Sequence, residues 1–122
     1  MEFNAATPIY LQVMTSIKRD IVTRRIRPGE KLPSVRELAV QYSINPNTVS
    51  RVYRELELEH VCFTRRGMGT FVTEDAELVT RLRNDMAEEL VREFLAGIRQ
   101  LGMDDEEAIR LLKLHIERGD SA

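Results

Sequence analysis

Five polar residues in one short stretch, Asn47, Thr48, Ser50, Arg51 and Arg54, carry groups that bond to base edges or to phosphate, with no bulky apolar side chain on the face they share. A little further on, Arg65-Arg66-Gly67-Met68-Gly69 joins two cations to two glycines, and glycine lets a backbone come close to a phosphate or a minor groove. The chemistry that these types and spacings suit is nucleic-acid recognition. Enzymic chemistry is poorly supplied. His60 and His115 stand far apart, in no metal-ligand spacing with each other or with Cys62. No phosphate-binding loop, nucleophile elbow or dinucleotide fingerprint occurs. Asp104-Asp105-Glu106-Glu107 reads as the start of a capped helix, where carboxylates meet the positive end of the dipole, rather than as a cation site. No enzyme activity, metal or cofactor is expected.

The elements that must hold the five polar residues are legible on either side of them. Ser34 followed by Glu37 is a capping box, with Pro33 just before it. The helix it opens puts Val35, Leu38, Ala39 and Tyr42 on one face. Asn45 as N-cap and Pro46 at the first helical position open a second helix, expected to run to about Glu59, with Val49, Val52, Tyr53 and Leu56 facing inward. Two short helices with facing apolar stripes and a tight turn describe a helix-turn-helix. After it, two β-prone runs within 61–73 flank the Gly67-Met68-Gly69 tip as the strands of a hairpin, which in this place is a wing. Upstream, Thr7 as cap and Pro8 in the first turn open a helix expected to reach Arg25, its stripe formed by Ile9, Tyr10, Val13, Met14, Ile17 and Ile21. Arg27-Pro28-Gly29-Glu30 is a turn, and Lys31-Leu32 is placed to pair with the wing as a short third strand. Residues 1–6 show no periodicity and read as a loose arm.

Three consecutive motifs, "RPGEKLPSVRELA", "NPNTVSRVYREL" and "RRGMGTFV", resemble the winged-helix domain of the GntR family of bacterial transcription regulators over residues 7–73. The resemblance implies helix-borne DNA contacts at Arg36, Asn47, Thr48 and Arg51, with Ser34 beside them, and wing contacts at Arg65, Arg66, Gly67 and Gly69. The chain departs from the family pattern in two places. Other branches often carry arginine where Pro46 or Ser50 stands, and many members have glycine in place of His60. A non-glycine residue at His60 must either take a left-handed conformation or end the helix differently.

Charge divides the 122-residue chain. The total is −2, but residues 1–73 hold 11 Lys and Arg against 7 Asp and Glu, a net of +4, whereas residues 74–122 hold 7 against 13, a net of −6. Phosphate is attracted to the first part and repelled by the second. With 43% apolar and 31% charged residues, no run of about 18 apolar residues and no basic-then-apolar leader, the protein is expected to be cytoplasmic and to meet no membrane. Cys62 is the single cysteine, which rules out an intrachain disulfide and fits a small strand residue beside the core.

The second part reads as two helices. One is expected from about Asp75 to Leu101, its stripe made of Leu78, Val79, Leu82, Met86, Leu90, Phe94, Ile98 and Leu101, widened by Ala87, Val91 and Leu95. Gly102 ends it, Asp104 and Glu107 make a second capping box, and a further helix over 105–118 carries Ala108, Ile109, Leu111, Leu112, Leu114 and Ile116, apolar on more than half its circumference. A segment of this size rarely holds a core alone, so its apolar faces need a second copy or the winged domain to cover them. The fold class is therefore mainly α with a small hairpin wing: a winged helix-turn-helix DNA-binding domain over 1–73 and a helical dimerisation tail over 74–122. A tail of two helices resembles the YtrA-like branch of the family, whose members tend to repress transporter operons. The function expected is a homodimeric repressor bound to a (pseudo)palindromic double-stranded operator. The contrasting class is a winged-helix scaffold that binds proteins through its tail. The sequence leaves room for a small-molecule effector without requiring one.

Overall fold

A computed structural model describes residues 2–119 of the chain. It contains five helices and one two-stranded antiparallel sheet, in the order α1 (Ile9–Val22), α2 (Val35–Tyr42), α3 (Pro46–Leu58), β1 (Cys62–Arg65), β2 (Gly69–Val72), α4 (Ala76–Gln100) and α5 (Asp105–Arg118). The chain divides into two compact units, Met1–Arg83 and Asn84–Ala122, with the division inside α4.

In the first unit, Val13, Met14, Ile17 and Ile21 of α1, Leu38 and Ala39 of α2, Val49, Val52, Tyr53 and Leu56 of α3, and Leu32, Val61, Cys62 and Val72 form one buried core. These are largely the stripes that helical spacing picks out. Val35 and Tyr42 are half-buried at its edge, and Ile9 is exposed. Helix α1 is shorter than its periodicity suggests. Pro8 is extended and acts as the N-cap, its carbonyl accepting from the Leu11 and Gln12 amides, and Thr7 lies outside the helix. At the other end the chain leaves the helix after Thr23 because Arg24 turns left-handed, φ 65°, and the Ile26 amide folds back onto the Asp20 carbonyl. The expected loose arm is instead tied down in part. The Gln12 side-chain amide donates from Nε2 to the Asn4 and Thr7 carbonyls and accepts at Oε1 from the Asn4 backbone amide, and the Phe3 ring lies 6.5 Å from that of Tyr42.

Both helix starts of the central pair form as their caps dictate. At α2 the Ser34 hydroxyl accepts from the Glu37 amide at 3.1 Å, and the Glu37 carboxylate accepts from the Ser34 amide at 3.0 Å. At α3 the Asn45 side chain accepts from the Asn47 amide at 2.8 Å, and Pro46 fills the position where no amide is needed. Ser43, left-handed at φ 56°, closes α2 and sets the short turn. The Tyr53 hydroxyl then reaches from α3 to the Pro33 carbonyl, fastening the pair together.

The hairpin pairs Cys62 with Val72, Phe63 with Phe71, Thr64 with Thr70 and Arg65 with Gly69. Residues 29–32 run along the free edge of β2: the Gly29 and Leu32 amides donate to the Val72 and Thr70 carbonyls, and the Val72 amide donates to the Glu30 carbonyl. The third strand expected at Lys31-Leu32 is thus a single bridge, Lys31 to Phe71. Cys62 is buried, its thiol against the Tyr53 carbonyl, and burial pushes its pKa up to about 12. It is a protonated core residue.

Helix α4 begins on Asp75, whose carboxylate accepts from the Glu77 and Leu78 amides. Val79 and Leu82 pack against the winged core, so Leu82, read from the sequence as a seam residue, is engaged within its own unit. In the second unit Asp104 accepts from the Glu107 amide at 2.9 Å, a cap without the reciprocal bond that forms at Ser34. Gly102 and Gly119 follow α4 and α5 in the left-handed region.

The capping box supplies a test. Its bonds to the Ser34 amide and hydroxyl hold the Glu37 carboxyl below its ordinary value of 4.5. A lowered folded-state pKa gives stability that is present above 4.5 and lost as pH falls through the folded value. Urea unfolding followed by circular dichroism should show Ser34→Ala losing about 1 kcal/mol at neutral pH. Glu37→Gln should flatten the loss of stability on acidification.

Candidate nucleic-acid interface

The outer face of α3 is fixed by its inner one. With Val49, Val52 and Leu56 fully buried, the 100° advance per residue turns Asn47, Arg51 and Arg54 to the opposite side, with Ser50 at its margin. All four are exposed, and Thr48 is half-buried beside them. The helix therefore presents an amide, a hydroxyl and two guanidinium groups together, at the width that a major groove admits. Ser34 and Arg36 are exposed at the start of α2. The Ser34 oxygen is engaged in the cap, while its hydroxyl proton is still a donor.

Arg51 is held. Its guanidinium carbon sits 3.7 Å from the centroid of the Tyr10 ring, a cation–π contact between α3 and the first turn of α1. Sequence reasoning placed Tyr10 in the core stripe and gave it no part in the site. No spacing rule links residues 41 apart, so only the packing of α1 on α3 reveals the pair.

The wing is held in the same manner. Phe63 and Phe71 stack at 5.9 Å on one face of the hairpin, and Arg65 lies over both rings at 5.4 and 5.6 Å. This grouping could have been read from the strand period of two, which puts Phe63 and Arg65 on the same face. Lys31 was also missed. Its side chain crosses Gly69 so closely that a Cβ there would lie 2.7 Å from the lysine Cε, and Gly69 has φ 118°. The φ is what calls for glycine at 69, since the flexible end of the lysine could move aside, and the turn thereby brings a third cation to the wing. Gly67, φ 78°, makes the tip, with Arg66 and Met68 exposed on either side. A bond from the Thr64 amide to the Glu57 carboxylate ties the wing to α3. His60 takes the left-handed conformation, φ 63°, directly after the α3 C-cap, which answers how a non-glycine residue is accommodated there.

The order of these parts, helix pair, exposed polar helix and basic wing, agrees with a match of residues 9–72 to the family described as bacterial regulatory proteins, gntR family. The chain belongs to the gntR family. Its likeness to other members extends past the winged part. It is 41% identical over 118 residues to the uncharacterized HTH-type transcriptional regulator YhcF of Bacillus subtilis (strain 168), covering 97% of this chain and 98% of that one. The HTH-type transcriptional repressor YtrA of the same organism is 42% identical over 100 residues, 77% of each chain. Among solved structures, a GntR family transcriptional regulator from Listeria monocytogenes superposes with a TM-score of 0.83 at 40% identity, covering 91% of this chain and 97% of that one. A gntR-family chain of this kind is a transcriptional regulator and not an enzyme. Among the described residues no group of His, Cys, Asp and Glu is placed to hold a metal, and no helix is long and apolar enough to cross a membrane.

Arg65 acts, on this geometry, as a cation braced on two rings. Arg65→Ala should weaken binding to all DNA sequences alike and reduce the slope of log affinity against log salt by about 1, as measured by fluorescence anisotropy at several salt concentrations.

Proposed function

We propose that this chain is a homodimeric repressor that inserts α3 into the major groove of a (pseudo)palindromic operator and lays its wing along the neighbouring minor groove. The observation that carries the proposal is the outer face of α3, where Asn47, Ser50, Arg51 and Arg54 are exposed together while the inner face is fully committed to the core. A protein-binding scaffold has no use for that set of donors. Ser34, Arg36 and Thr48 border the same surface, and Arg65, Arg66, Gly67 and Gly69 supply the wing contacts, with Lys31 added to them. The name of YtrA supports repression, and the likeness to the YtrA-like branch makes a transporter operon the class of target. The protein works in the cytoplasm, where the operator is, and the reading calls for no effector.

The dimer is argued from the second unit. Ala108 is its one buried apolar residue among those described, whereas Leu90 and Ile116 are 65% and 74% exposed and Ile109 and Leu112 are exposed too. Met86, Phe94 and Ile98 are half-buried. Apolar surface of this extent marks an interface, and the occupant that suits it is a second copy, since symmetric dimers are the commonest oligomers and a two-fold supplies the second recognition helix. The half-sites would then lie one DNA turn apart, roughly 34 Å.

Selection of bound sequences from a random DNA pool should return a palindromic motif with that spacing. A pool that stays random, with binding lost at physiological salt, overturns operator recognition and favours the scaffold. Against the selected operator, Arg51→Ala should lose about 1–3 kcal/mol, the cost of a good base contact. Leu90→Asp and Phe94→Asp should sediment as monomers, and variants that stay dimeric would remove the tail from the interface.

A further inference from the structure

We propose that Tyr10 is the positioning residue for base reading by Arg51, an inference that rests on the operator-binding function above. An arginine on an exposed helix face samples many rotamers, and its fork reads guanine only when the guanidinium plane stands in line with the base edge. In this protein the plane has a support. The guanidinium carbon lies 3.7 Å from the Tyr10 ring centroid, close enough for face contact. A ring uses only the face of a guanidinium. The N–H donors project from its edge, so stacking leaves them available for the O6 and N7 acceptors of guanine. Among the described residues no carboxylate forms an ion pair with Arg51, so the ring is its partner in the free protein.

Tyr10 is itself well fixed. It is half-buried against the core, one residue into α1, where the Pro8 carbonyl caps the backbone and Gln12 fastens the arm at Asn4 and Thr7. The neighbouring Arg54 has no ring among the described residues, so on α3 the device is particular to position 51. Tyr10 therefore acts on sequence preference through Arg51, without contributing a charge of its own.

The experiment compares affinity for the selected operator with affinity for random DNA, for the full chain and for Tyr10→Phe, Tyr10→Leu, Arg51→Ala and the double variant Tyr10→Leu/Arg51→Ala. Tyr10→Leu should lower the operator-to-random ratio about five- to tenfold, relaxing preference at the base pair that Arg51 reads, with the random-DNA affinity and salt slope unchanged. Tyr10→Phe, which keeps the ring, should match the parent, and Tyr10→Leu should cost nothing further once Arg51 is alanine. A Phe variant as weak as the Leu variant, or losses that add in the double variant, would overturn the proposal by giving Tyr10 a role apart from Arg51. If Arg51→Ala keeps full specificity, the underlying assignment of Arg51 as a base reader fails, and the positioning role with it. Should Tyr10→Leu lower the melting temperature, the parent protein still decides: the Arg51 side-chain protons should be shifted upfield by the ring in its NMR spectrum, and ordinary shifts would overturn the contact.

Discussion

The burial of one side of α3 is the constraint on which the rest of this structure depends. Val49, Val52, Tyr53 and Leu56 face helices α1 and α2 and the base of the hairpin, and together they fix the rotation of α3 about its own axis. A helix whose inner stripe is locked has no choice about its outer one. The capping box at Ser34, the Asn45 cap and the Tyr53 bond to Pro33 refine this arrangement, each by defining where a helix begins or how two helices meet. None of them would place the donors of α3 without the core beneath.

Two of the cations that face outward are braced on aromatic rings, Arg51 on Tyr10 and Arg65 on the Phe63–Phe71 pair. The repetition has a physical sense. A long cationic side chain bound to DNA gives up rotamer freedom, and a chain already resting on a ring has less of it to lose. The ring also covers only the face of the guanidinium, leaving its hydrogen-bonding edge to the ligand. Pre-ordering thus appears at both proposed contact surfaces, the helix and the wing, and by the same chemistry.

Much of this was legible in the sequence, because it is local. The capping box, Asn45-Pro46, the three apolar stripes of the winged unit and the glycines of the wing all announce themselves within a few residues of where they act. What was not legible is long-range or depends on backbone detail. The Tyr10–Arg51 pair needs two helices to be packed before it exists. The early end of α1 follows from a left-handed Arg24, a conformation that arginine does not advertise. Leu82 carried the same periodicity as Leu90, and periodicity alone could not tell that the start of α4 is used by the winged core while Leu90 is exposed. Lys31 looked like a strand residue; its closeness to Gly69 appears only when the hairpin and the 29–32 segment are side by side.

The division of labour within α3 bears on how such a protein changes over time. Asn47, Ser50 and Arg54 support nothing inside the molecule, so exchanging them leaves the core, the caps and the wing as they were. Position 51 differs, since a new residue there inherits a tyrosine shaped for a guanidinium. On the proposed reading of α3, drift toward a new binding sequence would therefore run through three freely variable letters and one conservative one, and a designer wishing to redirect the protein would do well to vary the first three and to treat residues 10 and 51 as a single unit.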